Sequence, residues 1–133
     1  MSRKVARETL FKLVFELGFH KPEDSVAFEE FLKENALDAE NVEFVKRAFT
    51  KIVETYDELK NTIKENVEGY TVDRIFKVDL SILMVALYEL MNEETPVQVV
   101  ANEAVELAKK YSTDKSYVFI NGVISKLIKT LGK

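Results

Sequence analysis

Only two prolines and four glycines interrupt the 133 residues, and between them apolar side chains return at steps of three and four. That period belongs to the α-helix; a half-buried strand would alternate every second residue, and no stretch sustains such alternation. Residues 3–17 place Val5, Ala6, Leu10, Leu13, Val14 and Leu17 on one stripe, with Ser2 as the N-cap and Gly18 as the stop. Lys21 to Asp24 reads as a turn, followed by a short helix with Val26, Phe28, Phe31 and Leu32 on its apolar side. Asn35 to Asp38 breaks it. Asp38 then caps a long helix reaching about Val67, in which Val42, Val45, Phe49, Ile52, Tyr56, Leu59 and Ile63 recur.

Gly69 ends that helix and Thr71 restarts the chain. Residues 72–91 are apolar nearly all round, the pattern of a helix enclosed by others. Thr95-Pro96-Val97-Gln98 has the form of a capping box with proline at the first helical position. It opens a helix through about Tyr111, which Ser112-Thr113-Asp114 interrupts before a last helix from about Lys115 to Leu131. With no internal repeat or low-complexity linker, residues 1–133 read as a single all-α domain. Hydrophobic residues make up 47%, enough for a core, and no run approaches the roughly 18 apolar residues of a membrane span. The N-terminus lacks the apolar stretch of a signal peptide, so a soluble cytoplasmic protein is the expectation.

The net charge of −4 conceals a strong segregation. In residues 1–12 four cations face only Glu8; in residues 109–133 six lysines face only Asp114. The intervening residues carry nine basic and twenty-one acidic side chains. The ends are thus +3 and +5 and the middle −12. If the ends meet in the fold they form one positive surface suited to phosphates. The bland alternative is that C-terminal lysines only complement helix dipoles.

Catalysis finds little material. With no cysteine and a single histidine, His20, there is no disulfide, thiol nucleophile or multi-histidine metal site, and no serine has a histidine base. The isolated glycines form no phosphate-cradling loop. Glu103 and Glu106 share a helix face, but the Glu-x-x-His pairs of a bundle metal site are missing. The reading is a non-enzyme without cofactor or metal. Binding features are better. Arg3, Lys4 and Arg7 lie on one side of the first helix, where cations sit against the positive end of the helix dipole. A feature that costs a little stability points to a use, and a row of cations suits backbone phosphates. Near the C-terminus, Tyr117, Phe119, Asn121 and Gly122 stand together. Aromatic faces stack unpaired bases and asparagine reads base edges; the same aromatics fit a core role equally well.

Four ordered blocks carry a family resemblance. They are Arg3-Lys4-Val5-Ala6-Arg7-Glu8; Val78-Asp79-Leu80-Ser81-Ile82-Leu83 continuing to Leu90; Pro96 to Lys109; and Ser116 to Ile124. In this order and spacing the chain resembles the bacterial NusB transcription antitermination factors along essentially its whole length. The resemblance implies about seven helices in two three-helix subbundles. It also implies pairing with the ribosomal protein NusE, joint binding of the boxA element of ribosomal RNA leaders, and work with other Nus factors in the RNA polymerase elongation complex. Carried over by motif, Arg3, Lys4 and Arg7 would contact phosphates, with Lys115 favouring the same role. Tyr117, Phe119 and Asn121 would form a stacking or packing surface, and Asp73 and Asp79 would face NusE. Met84, Ala101 and Lys115 depart from the family pattern. A NusB-like domain also occurs fused to an RNA cytosine methyltransferase domain, for which this length leaves no room. Two competing states stand beside this reading: a helical protein-interaction adaptor without RNA contact, and a homodimer of the free protein that buries the RNA surface.

Overall fold

The computed structural model describes residues 3–18, 37–67 and 75–133. Among them there are six helices and no strand: α1 (Arg3–Leu17), α2 (Ala39–Glu54), α3 (Tyr56–Glu65), α4 (Lys77–Asn92), α5 (Val97–Tyr111) and α6 (Ser116–Thr130). The short helix expected around Val26 to Leu32, together with His20 and Asp73, lies outside the described residues.

The all-round apolar segment becomes the centre of the fold. Every residue of α4 from Asp79 to Leu90 is buried, and α1, α2, α3, α5 and α6 all pack on it. Each fully enclosed leucine or isoleucine there, such as Leu83 or Leu87, contributes about 1.5–3 kcal/mol by leaving water. α1 also packs on α2, and α5 on α6.

Local chemistry sets the helix ends. The Asp38 carboxylate accepts from the Asn41 backbone N–H at 3.0 Å and caps α2 as expected. The long helix from Asp38 does not run unbroken to Val67. It is interrupted at Thr55 (φ −115°, ψ 21°), whose hydroxyl donates back to the Lys51 carbonyl at 2.7 Å, a bond that competes with regular helix geometry. The central helix starts at Lys77, later than the apolar run suggests, because Phe76 is extended (φ −57°, ψ 141°). The capping box at Thr95 is not formed. α5 begins at Val97 after an extended Pro96, and the Thr95 hydroxyl instead donates to Glu89 Oε2 at 2.9 Å. A buried carboxylate needs partners more than a helix end that water can reach. At the other end of the chain Gly132 (φ 73°) closes α6: its N–H reaches the Lys129 carbonyl at 3.0 Å, and Lys133 N–H reaches Ile128, also at 3.0 Å.

Candidate nucleic-acid interface

α1 carries the first basic cluster, and its three cations have different fates. Arg3 is anchored between α1 and α2. Its Nε donates to Asn41 Oδ1 at 2.8 Å, its Nη2 lies 3.6 Å from Glu40, and its guanidinium stacks 4.1 Å from the Phe44 ring centre. Arg47 approaches the same ring at 5.4 Å. Lys4 is exposed. Arg7 is buried, 7% exposed, and grips Glu89 of α4 with Nε–Oε1 at 2.6 Å and Nη2–Oε2 at 3.1 Å. The expected row of three phosphate-binding cations is therefore corrected. The three-residue step from Lys4 turns Arg7 toward the core, where its charge is committed to a carboxylate.

The basic ends do meet, through a residue the charge count treated as a lone exception. Glu8 of α1 faces the end of α5, where Lys110 Nζ donates to Oε1 at 2.9 Å and to Oε2 at 3.1 Å. The Tyr111 hydroxyl donates to Oε1 in a short bond, and Lys12 lies 3.7 Å away one helical turn on. Phe11 packs on the Tyr111 ring at 5.1 Å between centres. Burial pushes the Glu8 carboxyl up, but hydrogen bonds from Tyr111 and Lys110 outweigh it and hold the group below the ordinary carboxylate value. The same contact raises Lys110. Only the i,i+4 step to Lys12 is legible from spacing; Glu8 and Lys110 stand 102 residues apart.

The C-terminal candidates split between two clefts. Lys115, the N-cap of α6, and Phe119, one turn on, line an open cleft of about 260 Å³ with Ile75, Phe76, Asp79, Thr113 and Ser116. Phe76 is 57% exposed there, a surface aromatic that sequence reading did not single out. Tyr117 and Asn121 face the other way, toward α5. With Val118, Asn102, Val105, Glu106 and Lys109 they line a cleft of about 530 Å³, in which Lys109 Nζ stands 5.2 Å from the Tyr117 ring. Phe119 thus does not stand beside Asn121, since a two-residue step turns a helix by roughly 200°. Gly122 is exposed, and a Cβ built on it meets no atom within 4 Å, so no packing inside the chain requires it.

Asp79 is not a surface acid. It is 4% exposed and accepts hydroxyl hydrogen bonds from Ser112 at 2.5 Å and Ser116 at 3.0 Å, tying α4 to the α5–α6 junction. The first turn of α4 sets it at the floor of the cleft lined by Lys115 and Phe119, not on the open surface where a protein-partner contact was expected. Among the described residues no group of three histidine, cysteine or acidic side chains is arranged to hold a metal ion, and no helix is long and apolar enough to cross a membrane.

Comparison with known proteins adds an independent line. The NusB family model matches residues 2–129. The transcription antitermination protein NusB of Finegoldia magna is 41% identical over 97% of this chain and 95% of its own length. That of Clostridium novyi is 38% identical over 97% and 99%. Among solved structures, T. maritima NusB superposes with a TM-score of 0.85 at 31% identity, covering 97% of this chain and 92% of that one. A structure of the antitermination factors NusB and NusE in complex with dsRNA superposes with a TM-score of 0.85 at 26% identity, covering 96% of each chain.

Proposed function

The chain belongs to the NusB family, and from that premise we propose that it is a transcription antitermination factor that binds boxA RNA together with NusE and helps RNA polymerase elongate through terminators. The observation that carries this reading is the superposition, over 96% of the chain, on a NusB that was solved with NusE and RNA. The work is binding: affinity comes from phosphates meeting cations, and NusE supplies the rest of the RNA surface. The protein acts in the cytoplasm and uses no cofactor or catalytic group.

Lys4 and Lys115 are exposed, one in each basic end, and serve as phosphate contacts, with Arg3 as a positioned cation at the α1–α2 edge. Tyr117 and Asn121 line one open cleft and Phe119 the other, and each offers an aromatic face to a base. NusE pairs with the acidic middle of the chain, where opposite charge favours a basic ribosomal protein; Asp73, outside the described residues, is proposed as one of its contacts, and Asp79 as a buried support. The test is RNA binding with and without NusE for the wild type and for Lys4→Glu with Lys115→Glu. The reading expects NusE binding to persist while boxA affinity drops. Unchanged RNA affinity with intact NusE binding would favour an adaptor without RNA contact.

A further inference from the structure

The RNA reading treats the exposed lysines as open to phosphate, yet two of the cations near the α1–α5 junction already hold an anion. Glu8 collects Lys110, Tyr111 and Lys12 around one carboxylate. The donor set comprises two ammonium groups and a phenol hydroxyl converging from two helices, with no backbone donor. It is the kind of set that holds a phosphodiester oxygen pair. Both ammonium groups also lie over the Tyr111 ring, at 5.8 Å for Lys12 and 5.4 Å for Lys110, so the ring keeps them together independently of the carboxylate. The Glu8 side chain is 23% exposed and those of Lys110 and Lys12 are 60% and 42% exposed. The cluster therefore faces solvent, and the carboxylate can leave by changing rotamer. Glu8 stands four residues from Lys4 and four from Lys12 on one stripe of α1, in line with the exposed basic end.

We infer that Lys12, Lys110 and Tyr111 form a backbone-phosphate subsite for RNA, and that Glu8 occupies it in the free protein as an internal competitor that an incoming phosphate displaces. The inference rests on the RNA-binding reading and extends it to residues that reading does not use. Glu8 then sets the affinity and the salt response. While it holds the lysines, part of their charge is already neutralised and fewer counterions are released when RNA arrives.

The test is the affinity of the full-length protein for a labelled single-stranded boxA RNA, in the presence of NusE, over a range of salt. Glu8→Gln keeps the shape and frees the donors. It should bind up to about fivefold tighter at low salt, the factor set by releasing one exposed ion pair, with a log–log salt slope steeper by about 0.7 per lysine freed. Lys110→Gln should weaken binding more in the Glu8→Gln background than in the wild type. Lys64→Gln, on the exposed side of α3, should change neither. Thermal unfolding of each variant confirms that it is folded at the assay temperature. If folded Glu8→Gln binds no tighter, or Lys110→Gln costs the same in both backgrounds, the cluster is only a staple between α1 and α5 and the inference fails alone. If the wild type binds no RNA at any salt, the functional reading fails with it.

Discussion

Arg7 on α1 and Glu89 on α4 form a two-bond ion pair across the core, at 2.6 and 3.1 Å, with the side chains 8% and 1% exposed. Thr95 adds a third hydrogen bond to the same carboxylate, so one charge pair connects α1, α4 and the approach to α5. Arg7→Ala leaves Glu89 charged and unpaired in the interior, and the unfolding free energy should fall by about 3–5 kcal/mol. Replacing both partners with well-packed apolar residues should recover most of that loss. Urea denaturation measures it. An Arg7→Ala variant as stable as the wild type would mean that the arginine is not held in this way.

Asp79 has a comparable task at the opposite end of α4. Removing its carboxylate takes away the acceptor shared by the Ser112 and Ser116 hydroxyls, which keep only their bonds to each other and to Thr113, so Asp79→Ala should cost about 1–3 kcal/mol. Any loss of NusE binding should follow the folded fraction and vanish under conditions where the variant is fully folded. Circular dichroism and pull-down at matched folded fractions check this.

The periodicity of the sequence placed α1 to the residue and located α5 and α6, because their stripes are regular and their ends chemically marked. It was less reliable where tertiary contacts overrode local signals. Thr95 looks like a cap, but the buried Glu89 claims its hydroxyl. Thr55 sits inside an unbroken apolar pattern, yet its side chain bends the backbone there. The candidate site was half visible for a related reason. Charge clustering identified the basic ends, but whether a given cation is exposed depends on a helical turn of roughly 100° per residue and on partners distant in sequence. Lys4 and Arg7 differ in that respect alone, and the role of Glu8 depends on a helix that begins 89 residues later.

Gly122 and Gly132 should respond in opposite directions. Gly122 lies inside α6 with open space where a Cβ would be, so Gly122→Ala should stabilise by about 0.5–1 kcal/mol. Gly132 has φ 73°, and Gly132→Ala should destabilise by about 1 kcal/mol, since a side chain is strained in the left-handed region. Thermal melts separate them. A stabilised Gly122→Ala that binds RNA or NusE less well would identify that open face as a site of close approach.

Acid should weaken the fold through two partly buried carboxylates. Glu93 is held below its ordinary value of 4.5 mainly by hydrogen bonds from Arg47, against the opposing effect of burial. Glu8 is lowered by Tyr111 and Lys110 after the larger, opposing effect of burial. A carboxyl lowered in the folded state stabilises it fully above the unfolded value and loses that contribution as pH falls through the folded one. Stability should therefore be level from pH 7 to about 5 and decline below that. In Glu93→Gln the decline should be shallower. Denaturant titrations across this range test the sign, and a wild type that grows more stable below pH 4 would contradict it.

The most direct measurement is the affinity of the protein with NusE for single-stranded boxA RNA as a function of salt, compared between the wild type and Lys4→Gln with Lys115→Gln. The account predicts that log affinity falls linearly with log salt, and that the double variant binds more weakly with a slope shallower by about 0.7 per lysine. Binding that is absent, or equally tight at low and high salt and indifferent to both lysines, would contradict it.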